Sequence, residues 1–264
     1  MKTVLTIAGF DPSSGAGVTA DLKVFAAHGL FGVSCITGLT VQSTVGVRDS
    51  EPVAAHVVRA TLDCLREDLA LDGVKIGMLA TAENVAAVAD FLEALRDAGG
   101  KVPVVLDPVL RSSSGRELLE PDGVALMKER LLPLVDWVTP NLEELGVLAG
   151  RRVAERGDMA TAAAALRREF AGLNVLATGG HLAVPDDLEA TSAGERWLVG
   201  QRVKSRSTHG TGCALSSALL CALVLGDADA ALAAKVYVAE AIRSAVPLGK
   251  GNGPVNHLWP LWRR

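Results

Sequence analysis

Neither of the two common glycine-rich nucleotide signatures is present at the start of this sequence. The first glycine-rich segment, Gly9–Gly17, does not follow the G-x-G-x-x-G spacing, and it lacks the Gly-Lys-Ser/Thr of a P-loop. Dinucleotide binding and Walker-type NTPase activity are therefore not supported. A membrane-spanning run is also missing. The longest apolar run, Cys213–Gly226, contains two serines and falls short of the roughly 20 residues that a spanning helix needs.

An excess of positive charge is likewise absent, since the formal net charge is -4. This excludes a basic footprint for nucleic acid and gives no reason to invoke a membrane surface. The four cysteines show no C-x-x-C spacing, so neither a zinc site nor a redox pair is indicated. No secretory signal is visible, because the apolar run Val4–Ala8 is too short. We therefore expect a cytoplasmic protein with free thiols.

What the sequence does contain is a regular alternation of short apolar runs with longer stretches of period near 3.6. Such alternation predicts a mostly parallel central sheet with helices on both faces. With no repeat and no long linker, we expect a single-domain three-layer α/β/α sandwich over residues 1–264. The predicted strands are Val4–Ala8, Val33–Thr40, Val74–Gly77, Val104–Asp107, Trp137–Thr139 and Val175–Ala177; the predicted helices are Ala54–Arg66, Ala82–Ala98, Gly123–Leu131, Met159–Phe170, Cys213–Leu225 and Ala230–Val246.

Two local features refine this prediction. Thr81 and Asp158 are expected as N-caps of the helices that follow them. Residues Glu195–Val203, with Gly200 between two apolar pieces, could form a hairpin that interrupts the alternation.

The strongest local signal is the segment Thr208–Cys213, which leads directly into an apolar helix. Its Gly210-Thr211-Gly212 turn would present several backbone N–H groups in one direction, and the helix dipole favours an anion there. We expect a phosphate or oxyanion cradle. Cys213 would lie in the first turn, where a thiol pKa tends to be lowered, so it could accept a proton from a substrate hydroxyl. The alternative is a tight loop with Cys213 as a small packing residue.

Polar residues also follow two predicted strands. Asn141 and Glu144 lie one helical turn apart, and an amide oxygen with a carboxylate suits Mg²⁺, partly through water. The same two residues would equally form an N-capping box. Asp107 ends another strand, ahead of Ser112–Gly115; it could hold a metal or align a phosphate, or simply open a turn.

Gln42 is one of only two glutamines, and it closes the apolar run Ile36–Val41. A primary amide both donates and accepts hydrogen bonds, which matches the edge of an aminopyrimidine, although it could instead satisfy a loop. Together these segments supply an anion hole, a base, a metal platform and a substrate pocket. Those are the parts that phosphoryl transfer needs.

In these motifs the sequence resembles the hydroxymethylpyrimidine/phosphomethylpyrimidine kinases of thiamine biosynthesis, a branch of the ribokinase superfamily. The resemblance runs from Thr3 to about Leu258. It is carried, in the order of the family, by Ala8–Gly17 with Ala20–Lys23, Val41–Thr44, Lys75–Leu79, Leu106–Val109, Thr139–Asn141, Gly179–His181, Thr208–Cys213 and Gly253–His257.

The resemblance implies a ribokinase-like homodimer that transfers the γ-phosphoryl group of ATP, with Mg²⁺, to 4-amino-5-hydroxymethyl-2-methylpyrimidine and/or its monophosphate. It implies that Gln42 hydrogen-bonds the pyrimidine, and that Asp21, Gly9 and Met78 line its pocket.

On the nucleotide side, the resemblance implies that the glycine turn before Cys213 is the anion hole, with Cys213 where the superfamily usually has an aspartate base. Asn141 and Glu144 match its N-x-x-E element, which acts on the Mg²⁺–phosphate arrangement, with Asp107 nearby. We expect Asp107 and Glu144 to bind the metal, in part through water.

Two departures from the family pattern stand out. Thr178 precedes Gly179-Gly180-His181 where the family often has lysine, and Ser13-Ser14 stands where Ser-Gly is usual. Pyridoxal or pyridoxine kinase is the alternative within the superfamily, and Gln42 favours the aminopyrimidine. A non-catalytic pyrimidine-binding module and, with least support, a Rossmann dehydrogenase are the alternatives outside it.

Overall fold

The computed structural model describes residues 1–99, 101–112 and 115–262. Within these ranges nine strands form one sheet in the order β3-β2-β1-β4-β5-β6-β7-β8-β9. The strands are β1 (Thr3–Phe10), β2 (Phe31–Ser43), β3 (Gly46–Pro52), β4 (Gly73–Ile76), β5 (Val104–Leu106), β6 (Trp137–Val138), β7 (Asn174–Ala177), β8 (Asp187–Thr191) and β9 (Gly194–Leu198).

The six predicted strands form the parallel part of the sheet: β2, β1, β4, β5, β6 and β7. The central ones are short and buried along their whole length, which explains their continuous apolar sequence. β3, β8 and β9 are antiparallel additions at the two edges. The chain turns from β1 to β2 on one side and later to β4 on the other, so the strand order reverses beside β1. In open α/β sheets, ligands bind at such a switch point.

Helices cover both faces of the sheet. The described helices are α1 (Gly17–Ala27), α2 (Ala55–Asp68), α3 (Ala82–Asp97), α4 (Pro121–Leu126), α5 (Leu142–Ala149), α6 (Arg156–Glu169), α7 (Thr211–Leu225), α8 (Ala230–Arg243) and α9 (Trp259–Trp262); a π-helical turn (Met127–Leu131) and a 3₁₀ turn (Leu132–Leu134) follow α4. No helix in the described ranges is long and apolar enough to cross a membrane.

Two separate apolar cores fix the layers. One contains buried residues of α2, α3, α5 and α6, such as Leu62 and Met159. The other contains buried residues of α1, α7 and α8, such as Phe25 and Leu219. The sheet lies between them, so the predicted three-layer α/β/α architecture is confirmed. Helix α7 is apolar on nearly all sides because most of its residues from Ala214 to Val224 are buried.

Three local predictions differ from the structure. The hairpin consists of β8 and β9 rather than Glu195–Val203, and Gly200 lies beyond it, where its N–H donates to Asp186 Oδ1 (2.8 Å). Asp158 is not the N-cap of α6 but its third residue (N3), and it forms a capping box with the N-cap residue Glu155. Strand β3 was not predicted, because an exposed edge strand with the sequence GVRDSEP has no apolar run.

The Thr81 N-cap is confirmed, since its hydroxyl accepts from the Asn84 N–H. We expect Thr81→Ala to lower the free energy of unfolding by about 1 kcal/mol, because one N–H of the first turn of α3 loses its acceptor. Thr61→Ala is the control: Thr61 lies inside α2 and donates to the Val57 carbonyl. Its effect should stay within about 0.5 kcal/mol in urea denaturation. Equal unfolding midpoints for the two variants would contradict the cap.

Candidate active site

A cleft of about 1980 Å³ opens at the carboxyl ends of the parallel strands. It brings together ten of the eleven residues that the sequence singled out, although they come from loops spread over the whole chain. The ten that line it are Gly9, Gln42, Met78, Asp107, Asn141, Glu144, Gly210, Thr211, Gly212 and Cys213. Asp21 does not line it.

The N-terminus of α7 faces this cleft without a side-chain cap. Gly210 is the N-cap residue, with φ of 84°, and it occupies the left-handed region that favours glycine. A Cβ there would lie 1.7 Å from the Gly15 carbonyl oxygen, so any other residue would push the loop after β1 away. The N–H groups of the first turn of a helix have no acceptor within the helix. The geometry therefore suits an anion, as the sequence predicted.

The loop after β1 is held against this turn by Asp11. Its carboxylate accepts from the N–H groups of Ser13 (2.8 Å), Gly15 (3.1 Å) and Ala16 (2.9 Å), and His209 Nε2 lies 2.7 Å from its Oδ2. Although burial opposes ionisation, the hydrogen bonds from His209 and Ser13 lower the pKa of Asp11 to about 2. Ser14 adopts a φ of 60°, in the left-handed region that glycine adopts more readily than serine. This explains why Ser-Gly is the more favourable pair at positions 13 and 14.

Asn141 and Glu144 form the capping box that was the alternative interpretation. The Asn141 side chain accepts from the Glu144 N–H (3.0 Å), and Glu144 Oε2 accepts from the Asn141 N–H (2.9 Å). Burial, together with the neighbouring Asp107 carboxylate, raises the pKa of Glu144 to about 8. Burial also raises the pKa of Asp107, while Lys75 opposes that rise. Two carboxyl groups thus crowd one wall of the cleft, and a cation between them would relieve their repulsion.

Cys213 does not have the lowered pKa that its place in the first turn of α7 predicted. Part of its surface is accessible, yet burial raises the pKa of the thiol to about 12, and the charges of Asp107 and Asp21 add to this. Lys75 and the Gly17 N–H act in the opposite direction but do not compensate. The sequence argument counted the helix N-terminus and could not count the carboxylates that the fold places beside it.

Asp21 lies behind the wall of the cleft and is fully buried. Its two oxygens accept from Thr6 Oγ1 (2.6 Å) and Ser217 Oγ (2.8 Å), and Oδ2 forms an ion pair with Lys75 Nζ (2.9 Å). Lys75 is itself fully buried. Burial disfavours its charge, but the Asp21 carboxylate keeps the pKa of Lys75 above its usual range. This geometry therefore does not support the predicted role of the Asp21 side chain in lining the pocket. It indicates instead that Asp21 supports the site by holding Lys75 in position.

The remaining predicted residues, Gly9, Met78 and Gln42, form part of the wall of the cleft. A Cβ on Gly9 would lie 2.8 Å from Met78 Sδ, so Met78 packs directly over this glycine. Gln42 is half-buried at the end of β2, with Oε1 3.1 Å from Thr40 Oγ1 and Nε2 3.1 Å from His209 Nε2. Apolar contact from Met78 and one amide suit a small, flat, polar ring.

Three functional candidates were missed by the sequence argument: Asp11, Lys75 and His209. Each lay inside a quoted motif, but a lone Asp, Lys or His gives no signal until the fold supplies its partner. The clearest available signal was Asp11, because an Asp-Pro-Ser-Ser-Gly stretch is typical of a turn organised by the aspartate side chain. Thr178 does line the cleft. Ser113 and Ser114, which follow Asp107, lie outside the described residues.

A family model described as phosphomethylpyrimidine kinase matches residues 11–256. The chain belongs to this family. The predicted family, the ribokinase-like fold and the assignment as a phosphotransferase are thereby confirmed, and the non-catalytic binding module and the dehydrogenase lose their basis.

Individual relatives agree with the family. The chain is 42% identical, over 98% of each sequence, to the hydroxymethylpyrimidine/phosphomethylpyrimidine kinase of Rhizobium meliloti. It is also similar to the crystal structure of phosphomethylpyrimidine kinase from Clostridium difficile (32% identity, TM-score 0.79, 92% of this chain and 100% of that one). The pyridoxal kinase from Staphylococcus aureus in complex with ADP is similar too (31% identity, TM-score 0.89, 100% and 95%).

The buried Lys75–Asp21 pair predicts a large effect on stability. Lys75→Met should lower the free energy of unfolding by about 3–5 kcal/mol, because it leaves a buried carboxylate without its cation. The double variant Lys75→Met/Asp21→Asn removes both charges and should recover at least about half of that loss. Chemical denaturation followed by circular dichroism measures both. A loss below about 1 kcal/mol for the single variant would contradict a buried, charged pair.

Proposed function

We propose that this protein transfers the γ-phosphoryl group of ATP to the hydroxymethyl group of 4-amino-5-hydroxymethyl-2-methylpyrimidine, its monophosphate, or both. The observation that carries the proposal is the uncapped N-terminus of α7 at Gly210, which faces the same cleft as the Gln42 amide. The same cleft thus suits both a migrating anionic group, at the N-terminus of α7, and a polar ring, at Gln42. The names of the family and of its relatives supply the chemical identity of that ring.

On the substrate side, Gln42 would pair with the amino group and ring nitrogen of the pyrimidine, since an amide offers both a donor and an acceptor. Gly9 and Met78 would hold the flat face of the ring, because Met78 packs directly over Gly9 and both residues line the cleft. Asp21 would act indirectly, by keeping Lys75 charged and in place beneath the cleft.

On the nucleotide side, the donors fit Mg²⁺. Asp107 and Glu144 supply two crowded carboxyl groups, and the described residues hold no cluster of three or more His, Cys, Asp or Glu side chains for a protein-only metal cage. Two carboxyl groups with water suit Mg²⁺, which keeps part of its hydration and shares phosphate oxygens. When bound there, the ion would neutralise charge on the phosphates. Asn141 would hold Glu144 in position through the capping box.

In the reaction, the substrate hydroxyl oxygen forms a bond to the γ-phosphorus while the bond from that phosphorus to the ADP oxygen breaks. The N–H groups of Gly210, Thr211 and Gly212 would stabilise the negative charge on the migrating group. Electrostatic stabilisation of this kind is usually the largest contribution to such a reaction. The hydroxyl proton must also leave, and Cys213 is the side chain that we propose to take it, after losing its own proton.

Pyridoxal phosphorylation is the second candidate, favoured by the similarity to the pyridoxal kinase structure from Staphylococcus aureus. The Gln42 amide distinguishes the two candidates, because it matches the amino and ring-nitrogen edge of the pyrimidine. A cytoplasmic location and a homodimer stay predictions.

The decisive experiment is a product assay by mass spectrometry with ATP, Mg²⁺ and either the free hydroxymethylpyrimidine or pyridoxal. We expect mono- or diphosphorylated pyrimidine, and at least tenfold weaker kcat/KM with pyridoxal, on the order expected for one mismatched polar pair. Gln42→Met should reduce this preference, because methionine cannot pair with the amino group. A clear preference of the wild type for pyridoxal would overturn the assignment.

A second prediction concerns Cys213. Cys213→Ala should lower kcat by about two orders of magnitude, the usual scale for loss of a general base. Because burial raises the pKa of the thiol to about 12, the thiolate fraction grows with pH, so the wild-type kcat should rise between about pH 7 and pH 9.

Cys64→Ala, which alters an exposed cysteine on α2, is the matched control and should leave both kcat and its pH profile unchanged. If Cys213→Ala retained the wild-type kcat, the thiol would be a packing residue and the anion hole would carry the rate.

A further inference from the structure

A hydrogen-bond chain runs from the loop after β1 to the Gln42 amide. Asp11 Oδ2 lies 2.7 Å from His209 Nε2, and the same ring nitrogen lies 3.1 Å from Gln42 Nε2. The other end of the amide, Oε1, lies 3.1 Å from Thr40 Oγ1, whose hydroxyl donates to the Phe10 carbonyl (3.0 Å). The amide is therefore held from both sides by groups whose own partners are fixed.

The His209 ring has little freedom to move. Its backbone N–H donates to the Gly253 carbonyl (3.0 Å), and its carbonyl accepts from the Val255 N–H (3.2 Å). A Cβ on Gly15 would lie 2.3 Å from His209 Cδ2, so the imidazole packs directly against that glycine. Both His209 and Asp11 are buried. The nitrogen that faces Gln42 is thus fixed in place.

Protons determine which end of the amide faces His209. An ionised carboxylate only accepts hydrogen bonds, so Nε2 of His209 carries a hydrogen toward Asp11, whether the ring is neutral or charged. A ring nitrogen that carries a hydrogen has no free lone pair, so His209 Nε2 cannot accept a hydrogen bond from the NH₂ group of Gln42. Thr40 has a single hydroxyl proton, and since it donates to Phe10, Thr40 is an acceptor toward Gln42. Oxygen and nitrogen of an amide have the same shape, and only their partners assign them.

Both arguments give the same assignment: the Gln42 oxygen faces His209, and the NH₂ faces Thr40. His209 Nε2 carries a single hydrogen, so one lone pair of the Gln42 oxygen shares that hydrogen with Asp11 as a three-centre hydrogen bond. One N–H of Gln42 is used by Thr40. One acceptor and one donor, each on a known end of the amide, are left for a substrate.

We propose that Asp11 and His209, with Thr40, are positioning residues that lock the Gln42 amide in one orientation and thereby select a 4-aminopyrimidine against its 4-oxo counterpart. The amino compound presents an N–H donor beside a ring-nitrogen acceptor. The oxo compound presents the reverse, a carbonyl acceptor beside a ring N–H, which only a flipped amide could match. This inference rests on the proposed function, because it takes Gln42 to be the residue that pairs with the pyrimidine.

The test compares 4-amino-5-hydroxymethyl-2-methylpyrimidine with the analogue that carries a 4-oxo group. For each, kcat/KM is measured with ATP and Mg²⁺, and Kd is measured by calorimetry without ATP. The wild type should discriminate strongly against the oxo compound, because a mismatched edge leaves buried polar groups unpaired. In His209→Met the amide is free to turn, so discrimination in both quantities should fall at least tenfold, about the value of one hydrogen bond. Most of the change should be a gain with the oxo compound.

The fixed orientation that Asp11, His209 and Thr40 give to the Gln42 amide is called the lock below. Two further variants distinguish loss of the lock from simple loss of structure. In His209→Gln the side-chain NH₂ can donate to both Asp11 and the Gln42 oxygen, so discrimination should return toward the wild-type value. Thr40→Val, of nearly equal shape, removes the acceptor for the Gln42 NH₂ and should also reduce discrimination; it provides the test if His209→Met does not fold.

Ser207→Ala is the matched control. Ser207 is buried in the same loop, and its hydroxyl has no hydrogen-bond partner among the described residues. Its discrimination should equal that of the wild type. Wild-type discrimination in both His209→Met and Thr40→Val overturns the lock, and so does an equal loss in Ser207→Ala.

The outcomes also separate the two proposals. Efficient phosphorylation of the amino compound with unchanged discrimination in the variants leaves the proposed function standing and removes the lock. Binding without phosphorylation removes the proposed reaction, and the Kd ratios then still decide the lock. Absence of binding to either pyrimidine overturns both.

Discussion

The close contact between the loop after β1 and the N-terminus of α7 is the constraint on which the site depends. The Gly15 carbonyl lies so near Gly210 that a single added methyl group at 210 would meet it at 1.7 Å. Asp11 fastens the same loop to His209 across this contact. Residues separated by nearly 200 positions are thus brought within hydrogen-bond distance. The glycine turn at Gly210 and the Gln42 amide are parts of one assembly.

A second constraint is electrostatic. The fold buries the carboxyl groups of Asp21 and Asp107 near one lysine, Lys75, and buries that of Glu144 beside Asp107. Serines of α7 satisfy part of this charge: Ser217 donates to Asp21 (2.8 Å) and Ser216 to Asp107 (3.2 Å). Buried charges that lack full compensation shift pKa values, and such shifts concentrate at functional sites. Asp107, Glu144 and Lys75 are the members of this cluster that line the cleft.

This electrostatic environment changes how Cys213 must be understood. A helix N-terminus favours a thiolate, but burial of the sulfur disfavours the charged form, and the nearby charges of Asp107 and Asp21 add to this effect. The protonated thiol is therefore the resting form. Under the proposed function the oriented amides of the glycine turn need no change of protonation, so we expect them to supply the greater part of the rate enhancement.

The layered α/β fold, the positions of the parallel strands and the loops that meet at the cleft could all be predicted from the order of the residues. This prediction is possible because buried strands and amphipathic helices differ in hydrophobic period, and because the carboxyl ends of parallel strands share one edge of the sheet. Strand β3 and the true limits of the β8–β9 hairpin escaped it, since edge strands have little apolar signal.

Which polar residues are partners could be learned only from the folded molecule. The burial of Asp21 against Lys75, the raised pKa of Cys213 and the orientation of the Gln42 amide all depend on distances between residues far apart in the chain. Hydrophobic periodicity is local and survives in the sequence. Electrostatic and hydrogen-bond energies fall steeply with separation, so they exist only once the fold has brought the groups together.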